Sequence, residues 1–358
     1  MERGSHRRSP PPVRRTTLLY LGVMTGVLAL RRYGIWRPLH CGLPGQPISA
    51  LAAAPDHPEI VFAASDGVIY HSADGGTRWR QAGRVPRGAR VWALLAGPRP
   101  ASRLLAGLEP VGIVYSDNGG TSWKPAALPP LPAGAVTRLL PPSGEGGRFY
   151  ALAAGTLLTS ADGGATWQAL ETLPAPIADI AQHPDAPGTL YAAGPAGLFR
   201  TRNAGRTWQR LLSQPVSAVL VHPNRPRTLV AALPTGLHQS PNAGVQWQPM
   251  AGGEAVPDDP VVDLVGSAAG EVVLAVTARG RLLQLVDGRW EPPLMGPTPP
   301  VLTAIAPSGE LSSWPGAPKR AQTRRRRPAK RETGAPETAG GAKAPPRAGP
   351  SPAPAPPA

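Results

Sequence analysis

"SADGGATWQAL", residues 160–170, sets a serine, an aspartate and a glycine pair directly before a threonine and a tryptophan. Glycine behind aspartate marks a tight turn, whereas threonine and tryptophan favour strands. The phrase recurs as "SADGGTRW" at 72–79, "SDNGGTSW" at 116–123, "TRNAGRTW" at 201–208 and "SPNAGVQW" at 240–247, with a worn copy, "LVDGRW", ending at Trp290. Its tryptophans, Trp79, Trp123, Trp167, Trp208, Trp247 and Trp290, stand 44, 44, 41, 39 and 43 residues apart. A period of this length is the signature of one supersecondary unit stacked many times.

The unit before Trp208 divides most clearly. "IADIAQHP" and "GTLYAAG" are short apolar-rich runs joined by turn residues, and "AGLFRTRNAG" leads through a bend into "RTWQRLL". That makes four short strands in about 40 residues, the size of a propeller blade. At the bend, Ser160 and Asp162 can bond local backbone as Asx and Ser turns do. Gly164 supplies positive φ at little strain, Thr166 returns the chain to extended form, and Trp167 packs on the neighbouring unit.

This pattern, Ser-x-Asp-x-Gly-x-Thr-Trp, resembles the Asp-box or BNR repeat of sialidases, sortilin-type receptors and photosystem II assembly-factor propellers. Ser160, Asp162, Gly164, Thr166 and Trp167 match it throughout. Residues 72–79 keep Ser72, Asp74, Gly76 and Trp79, with Thr77 one place early. The other copies put asparagine at the acidic position: Ser116, Asn118, Gly120 and Trp123; Thr201, Asn203, Gly205 and Trp208; Ser240, Asn242, Gly244 and Trp247. The resemblance implies an all-β propeller over roughly 35–314 in which the box is structural and says little about activity.

Trp36 stands 43 residues before Trp79 and reads as an outer strand whose earlier strands are missing. "VLTAIAPSGELSSW", 301–314, supplies inner strands with no box after them. A ring must not leave free sheet edges, so the two are expected to share a composite closing blade. Seven four-stranded blades are expected, the composite one perhaps three-stranded, with six and eight blades as the alternatives.

The chain of 358 residues carries a formal charge of +15, but unevenly. Residues 1–40 net +7 and residues 315–358 net +8, while 41–314 hold 19 charges of each sign. The propeller body is therefore not a basic nucleic-acid platform as a whole. From 315 onward the chain is rich in Pro, Ala, Gly and Arg and has almost no large apolar residue to bury, so it reads as a disordered tail. Such a tail suits acidic polymers or lipid, or serves as a plain linker.

Residues 1–15 read as a basic disordered N-terminus. They precede "TTLLYLGVMTGVLAL", within 16–32, which Arg31 and Arg32 follow. Fifteen residues fall short of a comfortable span of about 20, and no small-x-small cleavage site follows. An uncleaved signal-anchor is expected, with a signal peptide, or a strand or helix packed on the domain, as alternatives. The anchor reading puts the propeller, 33–314, on the extracytoplasmic side of a membrane. Cys41 is the single cysteine, so no intrachain disulfide forms.

No catalytic set emerges. Sialidases are similar in using an arginine cluster and a tyrosine nucleophile, and their first blade carries a Phe/Tyr-Arg-Ile-Pro phrase that is absent before Ser72. Tyr70 and Tyr115 share one repeat position, and Tyr150 and Tyr191 another, which suits packing. His57, His183 and His222 lie on different blades, too dispersed for one metal ion. No metal or cofactor is expected. The longest connections run from each fourth strand into the next blade, and there Arg84, Arg87 and Arg90, and Asp258 and Asp259, are the candidate partner surface. The expectation is a membrane-tethered, monomeric, non-enzymatic scaffold that binds a protein. The resemblance to photosystem assembly factors implies membrane-protein biogenesis as its setting. The alternatives are a sialidase-like glycoside hydrolase and a soluble propeller with polyanion-binding tails.

Overall fold

The computed structural model describes residues 19–23, 26–30, 36–38, 42–292 and 302–307, except 56, 58, 98–102, 111, 144–146, 171–172, 174–175, 256–258, 267–272 and 280. The described residues form strands and turns without a helix, and the strands fall into seven antiparallel blades of four. Blade two runs Ala50–Ala53, Val61–Ser65, Val68–Ser72 and Arg80–Arg84; blade three Arg90–Ala96, Leu104–Glu109, Gly112–Ser116 and Lys124–Pro125. Blade four runs Val136–Leu140, Phe149–Ala153, Thr156–Ser160 and Gln168–Ala169; blade five Asp179–Gln182, Leu190–Gly194, Gly197–Thr201 and Gln209–Leu212. Blade six runs Ala218–Val221, Leu229–Leu233, Gly236–Ser240 and Gln248–Glu254; blade seven Val261–Gly266, Val273–Thr277, Leu282–Val286 and Arg289–Glu291. First strands of successive blades touch one another around the whole ring, so they line its central channel.

Blade one closes the ring. Its innermost strand is Leu302–Pro307 from the far end of the chain, followed outward by Leu19–Val23, Gly26–Leu30 and Trp36–Pro38. Tyr20 pairs with Ala306, and Leu30 with Trp36. The composite blade expected from Trp36 and 301–314 is therefore present, with four strands rather than three.

The described parts of 16–32, expected as a signal-anchor, are Leu19–Val23 and Gly26–Leu30, the second and third strands that Trp36 was expected to lack. No helix among the described residues is long and apolar enough to cross a membrane. A short apolar run fits a strand sealed between two blades as well as a helix, and periodicity alone does not separate them. "LYLGVMTGVLALRRYG" at 19–34 aligns without a gap with "LYAAGPAGLFRTRNAG" at 190–205, sharing Leu19, Tyr20, Gly26, Arg31 and Gly34 with Leu190, Tyr191, Gly197, Arg202 and Gly205.

Antiparallel order divides the loops between two faces. On the lower face lie the turns joining strands one and two, and the box turns joining strands three and four. The upper face carries the short turns between strands two and three and the connections from each blade to the next. Apolar side chains fill the gaps between blades: buried Trp167 of blade four packs in one cluster with Leu95 and Leu105 of blade three. Blades six and seven also meet at the rim, where a parallel Ala251–Arg289 pair merges them into one eight-stranded sheet.

Candidate functional site

In each box the hydroxyl sits under the turn. Ser160 Oγ donates to Asp162 Oδ1 at 2.8 Å and accepts the Gly164 N–H at 2.9 Å, while Asp162 Oδ1 accepts the Thr166 N–H at 2.9 Å. Ser72 with Asp74 and Gly76, Ser116 with Asn118 and Gly120, Thr201 with Asn203 and Gly205, and Ser240 with Asn242 and Gly244 repeat this bonding. Asparagine therefore replaces aspartate without loss of the turn, because one side-chain oxygen suffices. The indole N–H groups of Trp123, Trp167, Trp208 and Trp247 donate to the carbonyl of their own box glycine. Backbone and side-chain hydrogen bonds from Arg78 hold Asp74 down at about 2. For Asp162, burial pushes upward, but hydrogen bonds from Thr166, Ser160 and Ala165 prevail and hold it at about 2. These residues spend their bonding capacity on their own turns. The box is a fastener.

The channel holds a cluster that the repeat pattern does not announce. Arg138, on the first strand of blade four, donates through Nε to Asp179 Oδ1 of blade five at 2.7 Å. Its Nη2 reaches Asp263 Oδ1 of blade seven at 2.5 Å. Asp179 also accepts the Val219 N–H of blade six at 2.9 Å. One arginine thus ties four blades together across the channel, with its side chain 11% exposed and those of the aspartates 2% and 8%. Burial pushes the Asp179 carboxyl up, and Asp263 adds to this against the pull of Arg138. The available signal was positional: these charges occupy first-strand sites where the other blades carry mostly apolar residues.

On the upper face, an open cleft lies between blades two and three. Its volume is about 510 Å³, and Gln46, Ser49, Asp66, Arg84, Arg87 and Arg90 are among its lining residues. The structure thus brings the three expected arginines together. Arg84 Nη1 donates to the Asp66 carbonyl at 3.1 Å, and the Arg90 guanidinium stacks 4.7 Å over Trp92. The Trp92 indole N–H in turn donates to Glu109 at 2.6 Å. None of the three arginines forms an ion pair among the described residues, so the cleft has a net positive lining. Asp259 is not part of it: buried in blade seven, it accepts the Arg279 N–H and pairs with Arg281. Asp258 lies outside the described residues.

Most glycoside hydrolases flank the scissile bond with two carboxylates about 5–9.5 Å apart. Asp66 is the one carboxylate lining the arginine cleft. Tyr150 and Tyr191 are buried at 1% exposure, and Arg103 stacks 4.3 Å over Tyr115, so these tyrosines are packing elements. His183 Nδ1 accepts the Asp185 N–H within its turn. No group of three or more His, Cys, Asp or Glu among the described residues is placed to hold a metal ion.

The sequence matches no protein-family model and no curated protein. Its fold is similar to solved structures. A structure titled "YCF48 bound to D1 peptide" aligns with a TM-score of 0.56 at 15% identity, covering 74% of this chain and 91% of that one. YCF48 from Cyanidioschyzon merolae gives 0.53 at 15% identity, over 76% of this chain and 96% of that one. The GH74 xyloglucanase from Xanthomonas campestris gives 0.54 at 18% identity, over 76% of this chain but only 42% of the enzyme. These likenesses establish the β-propeller fold. At such identity they carry no activity across.

Proposed function

We propose that this chain is a non-enzymatic binding propeller that holds an acidic segment of a partner protein in the upper-face cleft between blades two and three. The observation that carries this reading is the convergence of Arg84, Arg87 and Arg90 on one open cleft without carboxylate partners. Guanidinium groups bind carboxylates through paired N–H donors, and a fixed ring of loops presents them at little ordering cost. A propeller of similar fold has been solved with a peptide bound, which supports the mode and not the identity of the partner. Membrane-protein assembly is the setting that likeness suggests. Anchoring through 16–32 is not part of the proposal, because Leu19–Val23 and Gly26–Leu30 serve the closing blade.

The test is fluorescence anisotropy with a library of acidic and charge-reversed peptides. Acidic members should bind the intact chain, and R84Q/R87Q/R90Q should weaken them by about a hundredfold, as loss of charge-assisted bonds does. Equal binding by the triple variant would sink the proposal.

A further inference from the structure

Residues 41–314 are neutral in sum, yet their charges are not mixed. Between Asp185 and Glu254 the chain holds no Asp or Glu, but six arginines. Two are committed. Arg200, 7% exposed, donates to the Ala243 carbonyl and to Gln209, and Arg210 donates to the carbonyls of Ala196 and Ser213. The other four, Arg202, Arg206, Arg225 and Arg227, are exposed on lower-face turns and form no ion pair among the described residues.

Blade geometry gathers them. Arg200 Nη1 reaches the Ala243 carbonyl at 3.0 Å, and the Ala243 N–H donates to the Arg227 carbonyl at 2.7 Å. The strand end leading to Arg202 and the turn bearing Arg225 and Arg227 therefore meet at one residue. Two positions further, Val245 stands on the same box turn at 72% exposure, the most exposed large apolar side chain among the described residues. An apolar tip set among unpaired cations, with no acid along the intervening chain, is the composition of a surface that meets anionic headgroups.

We propose that the lower face of blades five and six docks peripherally on an anionic membrane surface. The guanidinium groups engage lipid phosphates, and Val245 enters the headgroup layer. Nucleic acid fits less well: no aromatic side chain is among the exposed large hydrophobics, so bases find no stacking platform. Burial holds the nearby His222 below its ordinary value, so it adds no charge at neutral pH. Asp185, on the first turn of blade five, bounds the patch on one side. The arginine cleft lies on the opposite face, so docking leaves it open to a partner.

The test is flotation of the full chain with phosphatidylcholine vesicles, with and without phosphatidylglycerol. Binding should require the anionic lipid and weaken as salt rises. Each arginine near such a surface is worth about a fivefold change in partitioning, so R202Q/R206Q/R225Q/R227Q should lose about a hundredfold or more. Val245→Ser should lose about fivefold. R84Q/R87Q/R90Q, on the other face, should bind as the parent does. Circular dichroism melts establish that each variant is folded, and the pair R225Q/R227Q, with an intermediate loss, serves if the quadruple variant is not. Unchanged binding by a folded arginine variant would assign the effect to the basic tails and overturn the proposal. Tighter binding of a single-stranded oligonucleotide than of vesicles, lost in the same variants, would overturn it too.

Discussion

Gly252, on the outer strand of blade six, lies against the backbone carbonyl of Trp290 in blade seven; a Cβ there would stand 2.1 Å from that oxygen. Gly42 meets the Trp79 carbonyl in the same way at 2.2 Å, which puts the chain after the closing blade against blade two. The rim of the ring is thus sealed backbone to backbone, where no side chain can yield.

Gly252→Ala should destabilise the propeller by about 2–3 kcal/mol, combining the contact with strain at positive φ. Gly88→Ala is the control, since Gly88 also has positive φ but no atom within 4 Å of its added Cβ. It should cost only about 1 kcal/mol. Urea midpoints of the two variants separate contact from conformation; equal losses would mean the Trp290 carbonyl moves aside.

The acidic boxes make part of the stability pH-dependent. Asp74 and Asp162 both titrate at about 2 in the fold, below the ordinary 3.8. Their contribution is complete above the ordinary value and is lost as pH falls through about 2. The boxes with Asn118, Asn203 and Asn242 keep their turns throughout. D74N/D162N should therefore flatten the fall in melting temperature between about pH 4 and 2. At neutral pH, Asp162→Ala should cost about 1 kcal/mol as a lost cap, and Trp167→Ala about 3–5 kcal/mol as a lost core aromatic. A parent-like acid transition in the double asparagine variant would place the sensitivity elsewhere.

The channel cluster gives the opposite sign. Arg138→Met leaves Asp179 and Asp263 buried without their cation, and breaking such a cluster costs about 3–5 kcal/mol. Burial and the neighbouring Asp263 charge then raise the Asp179 carboxyl unopposed. A raised acid penalises the fold above its own titration, so the variant should regain stability as pH falls from neutral. R138M/D179N/D263N should recover much of the loss without that pH dependence. A single variant insensitive to pH from 7 downward would show that the aspartates find other partners.

What was legible was what repeats within one turn. Ser160, Asp162 and Gly164 bond to groups two to four residues away, so "SADGGATW" declares its own conformation. The ladder of tryptophans then gave the blade count. Arg138 was not legible as a hub, because its partners lie 41 and 125 residues away and meet it only across the channel. The three arginines could be assigned to one loop from sequence, but their opening onto a cleft depends on Gln46 and Ser49 of the preceding connection. The segment 19–30 admits two readings for a different reason: strands two and three of a blade are largely apolar, and arginines at their ends imitate a targeting segment. The match of Leu19 and Tyr20 to Leu190 and Tyr191 was the overlooked signal.

The closing blade supplies the last prediction. Tyr20 faces Ala306, and Leu21 faces Ile305, as successive pairs between the two ends of the chain. Successive antiparallel pairs alternate between wide and narrow, so one of the two has its Cα atoms about 4.5 Å apart. That spacing admits a disulfide, whereas a separation above about 7 Å does not. In a Cys41→Ser background, either Y20C/A306C or L21C/I305C should therefore oxidise to an intramolecular bond, seen as a faster non-reducing gel band. Deleting 19–38 should leave a chain that aggregates, because blades two and seven then expose unpaired faces. An apolar run held in a bilayer would keep these positions apart. Failure of both pairs to crosslink in the folded chain would remove Leu19–Leu30 from the ring and return it to the role of an anchor.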